Sequence, residues 1–204
     1  MSDTKATQYL ATLLLFPTVA TAEPYLALRG GTQWWNDTSN SDPLEDGTEP
    51  GHTLALAVGD EAGLSDIGLP KSDFALDLEL EAAWRREPLH GRNRGTDHRT
   101  ADGHDLDLYS LGANLWPGWQ FTRRLTVSVG GGGGYAINRA LGDTDGAPWG
   151  QAGASVRANL TPELSLEAGY RCMWLDDVKP DGYRATYGAV HGLLLGVRWE
   201  FKGE

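Results

Sequence analysis

The segment Phe74-Ala-Leu-Asp-Leu-Glu-Leu-Glu-Ala-Ala-Trp84 constrains the fold of this chain more than any other. In an extended strand, successive side chains point to opposite faces. Phe74, Leu76, Leu78, Leu80, Ala82 and Trp84 therefore share one side, and Ala75, Asp77, Glu79, Glu81 and Ala83 share the other. This period of two marks a strand with one apolar and one polar face. A tilted strand of about 9–11 residues also spans a bilayer. Three carboxylates on the second face would be out of place in a soluble core. They fit the polar interior of a membrane barrel, whose strands alternate apolar-out and polar-in.

The same alternation recurs along the chain and predicts eight strands. The first covers 25–35, with Leu26, Leu28 and Trp34 on one face and Arg29 and Gln33 on the other. A polar loop over 36–50 leads to the second strand at 52–58, which carries Leu54, Leu56 and Val58 on one side. A connection over 59–72, long for a turn, precedes the third strand at 74–84. A histidine-rich loop over 86–104 leads to a fourth strand at 105–116, with Tyr109, Leu111, Ala113 and Leu115 outward. A turn at Trp116-Pro-Gly-Trp119 precedes the fifth strand at 124–138, and a loop around 142–146 precedes the sixth at 149–160. Thr161-Pro-Glu163 is a tight turn into the seventh strand at 164–175; a loop over 176–187 leads to the eighth at 191–201. Eight is an even number and the minimum for a membrane barrel. Hydrocarbon offers no partner to an open edge, so the eighth strand is expected to close on the first.

Composition narrows the class. The chain of 204 residues suits one domain, and 27 glycines without a collagen period favour tight turns and close backbone approach. A net charge of −11 argues against nucleic acid, which requires a basic surface. The single cysteine, Cys172, has no internal disulfide partner and is expected to be buried or lipid-facing. Residues 1–22 read as a cleaved signal peptide: a short apolar run over 10–20 ends in Ala20-Thr-Ala22, a small-x-small cleavage pattern. No segment approaches 18 consecutive apolar residues, so no transmembrane helix is expected.

Periodicity alone does not say whether the apolar face meets lipid or fills a soluble barrel that binds a small apolar ligand. Three observations favour lipid. The assigned apolar faces carry no acid or base, as hydrocarbon demands. Tyr25, Trp34, Trp84, Tyr135, Trp174, Trp199 and Phe201 sit at strand ends, where aromatic residues form girdles at the bilayer interfaces. The polar faces hold Arg29, Arg85, Arg157, Arg171 and Arg198 against Asp77, Glu79, Glu81, Glu167 and Glu200, five of each sign. A narrow lumen needs such balance, whereas a soluble surface does not. These residues are expected to form an ion-pair network that fills the lumen.

Several segments resemble the porin-like, opacity-protein class of small eight-stranded outer-membrane β-barrels. They are Tyr109-Ser-Leu-Gly-Ala-Asn-Leu115, Val127-Ser-Val-Gly-Gly-Gly-Gly-Gly-Tyr135, Gln151-Ala-Gly-Ala-Ser-Val156 and Leu160-Thr-Pro-Glu-Leu-Ser-Leu-Glu-Ala-Gly-Tyr-Arg171. Leu195-Gly-Val-Arg-Trp-Glu-Phe201 is similar to the C-terminal strand read by the barrel assembly machinery. The resemblance covers 105–201 well and 23–104 loosely. Lys202-Gly-Glu204 follow the aromatic residue on which the class usually ends. It implies an all-β, antiparallel up-and-down barrel in the bacterial outer membrane. Its role would be structural or adhesive, with lipids and lipopolysaccharide as partners, no shared catalytic residues and no cofactor.

Other candidates are weaker. The Gly130–Gly134 run lacks the Lys-Ser/Thr of a phosphate loop; it is read as lumen wall across which Arg157 can pass. His90, His98, His104, Asp97, Asp102 and Asp105 share one loop without tight metal-ligand spacing. Arg85, Arg86, Arg92, Arg94 and Arg99 near it suggest phosphate contact, and a solvated loop is the plainer reading. The acidic first loop (Asp37, Asp42, Glu45, Asp46, Glu49) is read the same way. Ser110 and His191 are the candidates for a lipid-modifying enzyme, but no compact Ser-His-acid spacing accompanies them. No catalytic or metal residue is assigned.

Overall fold

The computed structural model describes residues 23–36, 50–63, 73–89, 104–140, 143–176 and 189–201. Within them run eight strands: β1 Glu23–Asn36, β2 Gly51–Gly63, β3 Phe74–Leu89, β4 His104–Thr122, β5 Leu125–Ala140, β6 Asp143–Asn159, β7 Leu164–Leu175 and β8 Ala189–Glu200. Each pairs antiparallel with its sequence neighbours, and β8 closes on β1 to complete the barrel. Among the described residues no helix is long and apolar enough to cross a membrane. The expected signal peptide and the loop segments 37–49, 90–103 and 177–188 lie outside the described residues, as does the tail 202–204.

Cα partners followed from Pro24 through Asp60, Leu78, Leu115, Gly131, Ala152, Cys172 and His191 return to β1 at Trp34, a stagger of ten residues. A stagger of this kind requires the strands to tilt against the barrel axis, and the tilt sets how wide the interior is. The start of β1, the end of β8 and the turns 123–124 and 160–163 share one end of the barrel, the chain end. The longer connections 37–49, 90–103 and 177–188 join strands at the other, the loop end.

The eight expected strands are present, and β7 has the expected bounds. Four connections differ. β2 continues through Asp60, Glu61 and Ala62, which pair with Leu78, Asp77 and Leu76, so the long connection expected at 59–72 is shorter. Its polarity suggested a loop because Glu61 faces the lumen and reads as solvated. β3 runs on to Leu89, so Arg86 is a strand residue. The turn expected at Trp116–Trp119 does not occur: β4 passes through Pro117 and reverses at Arg123–Arg124. Pro117 keeps its partner Leu76 on β3, while the ladder to β5 lapses between Leu115↔Gly131 and Gly118↔Ser128. Proline lacks one donor; here its ladder cost falls on one neighbour only, and the apolar face continues through Trp119 and Phe121. The loop expected around 142–146 is mostly strand, since Ala136 to Ala140 pair with Ala147 to Asp143.

The turn at Thr161–Glu163 is closed by Leu164 O, which accepts from Leu160 N at 2.9 Å and Thr161 N at 3.1 Å. The Thr161 hydroxyl accepts from Leu164 N at 3.0 Å.

Candidate functional site

The wall separates two chemistries. Outside, Leu28, Leu56, Leu111, Val129, Leu193 and Leu195 are all exposed, Leu195 at 71 %. Inside, Arg29, Asp77, Glu79, Glu81, Arg85, Arg157, Arg198 and Glu200 are all buried, with Arg198 at 0 %. An exposed apolar belt around a buried charged interior inverts a soluble protein and matches a barrel immersed in lipid.

The lumen charges form two layers. In the middle of the barrel, Arg29 Nη2 donates to Glu79 Oε2 at 2.6 Å and Arg29 Nε to Glu167 Oε2 at 2.8 Å. Arg29 also reaches Glu81 at 3.4 Å. Arg171 pairs with Glu81 and lies 3.8 Å from Glu79. Arg85 lies 3.9 Å from Glu81 and donates to Ser110 at 2.6 Å. Asn114 donates to Glu79 at 3.1 Å and accepts from Gln151 at 2.7 Å.

Nearer the chain ends, Glu61 Oε2 lies 2.6 Å from both Arg157 and Arg198. Asp77 Oδ2 lies 3.4 Å from Arg157 and 3.0 Å from Arg198. Two acids and two guanidiniums thus close a ring, and Arg198 Nε also meets Glu200 at 3.2 Å. All ten residues expected in the lumen network lie within these two layers. Buried charge is tolerated only when paired in this way.

Sequence reasoning missed Glu61, because its strand was cut short. With it, six acids rather than five meet the five lumen arginines among the described residues. Tyr25 is a correction: it lies in the lumen at 2 % exposure, not in the girdle. It sits between the layers, with the Arg198 guanidinium 3.5 Å over its ring and its hydroxyl donating to Glu79 at 3.3 Å. Parity placed it there, on the face of Arg29, because even-numbered positions of β1 point outward.

The glycine run also serves neighbours other than the expected one. A Cβ on Gly132 would collide with Asn114 Oδ1, and one on Gly130 would lie 2.8 Å from Trp116 Cε3. These glycines admit Asn114 and Trp116, while Arg157 lies nearer the chain ends with Glu61 and Asp77.

Asp77 and Arg157 border a cavity of about 30 Å³, enough for a water molecule. At the loop end the lumen is closed differently. Leu108, Ala136, Trp149, Met173, Leu175 and Val190 form an apolar cluster. Across from it, Thr53 donates to Gln33 at 2.7 Å. Gly112 makes room for this cap, since a Cβ there would collide with Trp149 Cζ2.

On the outer wall, Trp84, Tyr135, Trp174 and Trp34 point outward toward the loop end. Trp199 and Phe201 do so toward the chain ends, joined by Trp119, which sequence reasoning had left in a turn, and by Phe121, which it had assigned to no strand. Phe74 meets Trp119 edge-on at 6.1 Å. The outer face is not free of charge, contrary to expectation: Asp107 of the expected fourth strand lies on it, and the longer strands add Asp60, Arg86 and Arg139 near its two ends.

Ser110 and His191 lie on opposite sides of the wall. Ser110 accepts from Arg85 inside. His191 is outside, with Nδ1 2.5 Å from the Tyr170 hydroxyl and its ring stacked 6.1 Å from Trp34. They do not form a catalytic pair. Cys172, the register partner of His191, is a free thiol on the outer face. Among the described residues, no group of three or more His, Cys, Asp or Glu is placed to hold a metal. Most of the candidate histidine loop lies outside them.

A closed eight-stranded antiparallel wall, apolar outside and charge-paired inside, is the fold of the small outer-membrane β-barrels. Solved structures agree. Neisserial surface protein A shares the fold with a TM-score of 0.58 and 18% identity, over 87% of this chain and 97% of that one. A major outer membrane protein of Thermus thermophilus does so with a TM-score of 0.53 and 13% identity, over 87% and 99%. No protein-family model matches the chain, and no curated protein matches it in sequence.

Proposed function

We propose that this chain is a bacterial outer-membrane anchor whose role is structural or adhesive, exercised by the segments at its loop end. The observation that carries this reading is the filled lumen. Among the described residues every arginine there is engaged by a carboxylate; a hollow of about 510 Å³ bordered by Glu61, Arg157 and Glu200 opens at the chain-end mouth, but deeper in the bore the cavities shrink to about 30 and 20 Å³, and the loop end is capped by apolar side chains. Such an interior passes no large solute. What the barrel presents to the outside is then its outer rim and the loops rooted on it, including the acidic segment 37–49 and the basic, histidine-rich segment 90–103.

The non-enzymatic reading is supported by the separation of Ser110 from His191 and by the arginine partners of the lumen acids. Both chain ends face the periplasm in this reading, and the barrel assembly machinery inserts the chain.

Two measurements test it. The chain should fractionate with outer membranes and show heat-modifiable gel mobility. Protease added to intact cells should cut within 37–49 or 90–103. A water-soluble chain, or loops protected on intact cells, would overturn the reading.

A further inference from the structure

At the chain end the bore widens into a hollow of about 510 Å³, a size within the roughly 300–1,000 Å³ of small-molecule sites. Its floor is paired charge: Glu61 meets Arg157 there, and Glu200 meets Arg198. Its rim is different. Glu23, Arg123 and Arg124 border the hollow and are exposed. None of the three forms an ion pair with another described residue.

The fold holds these unpaired charges apart. Arg123 and Arg124 make the turn between β4 and β5, whereas Glu23 begins β1 and Glu200 ends β8. Glu200 is opposite Tyr25, two residues along β1 from Glu23. In the closed ring of eight strands, the β4–β5 pair is four strands from the β8–β1 pair by either route. Bases therefore stand on one side of the mouth and acids on the other, across the width of the bore.

Backbone hydrogen bonds pin both sides. Arg124 O accepts from Asn159 N at 2.9 Å, and Arg124 N donates to Thr122 Oγ1 at 3.2 Å. On the acidic side, Glu200 N donates to Glu163 O and Phe201 N to Pro24 O, both at 2.8 Å. Gln120 of β4 and Asn159 of β6 also border the hollow, so side-chain amides line it as well as charges.

We infer that this mouth binds a short linear peptide by both of its ends. The terminal carboxylate sits on Arg123 and Arg124, and the terminal ammonium on Glu23 with Glu200 behind it. Gln120 and Asn159 meet the peptide groups. A guanidinium fork matches the two oxygens of a carboxylate, and an ammonium brings three donors to a wall of acceptors. A ligand of one sign uses only one wall and is repelled by the other. The inference goes beyond the anchoring role, and the orientation of the barrel decides only which compartment supplies the peptide.

The test titrates the folded full chain in neutral detergent, by calorimetry, with trialanine, N-acetyl-trialanine and trialanine amide. Trialanine should bind saturably, and blocking either end should weaken it about fivefold, the upper range for an exposed ion pair. Arg123→Gln/Arg124→Gln should remove the advantage of trialanine over its amide and leave its advantage over the N-acetyl peptide. Glu23→Gln should do the converse. Heat-modifiable mobility checks folding; if the double variant does not fold, Arg123→Gln and Arg124→Gln are read singly for the same change.

Absence of saturable binding, or equal binding of the blocked peptides, would overturn the site. Loss of the same advantage in both kinds of variant would overturn the assigned polarity. A chain found outside the outer membrane would overturn the anchoring role, while the titration alone decides the mouth.

Discussion

The two ends of the lumen are closed by opposite means. From the middle toward the chain ends, Arg29, Glu79, Glu81 and Arg171, then Glu61, Asp77, Arg157 and Arg198, occupy the bore with paired charge. Toward the loops, Trp149, Met173, Leu175 and Val190 fill it with apolar volume. A charged plug is held by geometry: each member depends on its partners, because an unpaired ion in a water-poor interior is costly. An apolar plug depends on volume and tolerates exchange among side chains of similar size. The first should therefore respond sharply to single substitutions and recover when both partners are replaced, whereas the second should respond in proportion to the volume removed.

The most severe test of this contrast is Glu79→Ala, at the crossing of Arg29, Tyr25 and Asn114. It should destabilise the barrel by about 3–5 kcal/mol, read by urea unfolding in lipid vesicles from tryptophan fluorescence. Adding Arg29→Met should restore much of the loss; an additive penalty would show that the pair does not act as a unit. On the outer wall, Leu195→Arg should cost about 3 kcal/mol or prevent assembly, and normal folding of that variant would invert the assignment of faces.

In the apolar cap, Trp149→Ala should cost about 3 kcal/mol, and Trp149→Phe much less. Equal penalties for the two would mean that more than volume is at stake. The smallest effect is expected for Glu61→Gln. Gln keeps a hydrogen-bonding side chain between Arg157 and Arg198, and Asp77 still faces both arginines, so this member is the exception to the sharp response and about 1 kcal/mol is expected. A loss as large as that of Glu79→Ala would show that the ring of Glu61, Asp77, Arg157 and Arg198 is as indispensable as the middle layer.

Particular residues show how far the chain could be read unaided. The acids of β3 and the arginines of β1, β6, β7 and β8 were assigned to the lumen from parity, because a period of two needs no knowledge of partners. The misread strand boundaries share one cause. Polar or breaking residues inside a strand (Asp60, Glu61, Pro117, Asp143 to Asp145) look like loop in sequence. They are strand here because a neighbouring strand continues the ladder past them. Tyr25 was misassigned on its residue type, although its position already placed it beside Arg29.

The sequence by itself determined the alternation of faces, the number of strands and the sign of each lumen group, since all three follow from local geometry and residue type. Only the tertiary structure decided which charges meet. The ten-residue stagger carries Arg157 and Arg198 to the same pair of acids. Register is a relation between strands, set by the closure of the whole barrel, and no single strand contains it.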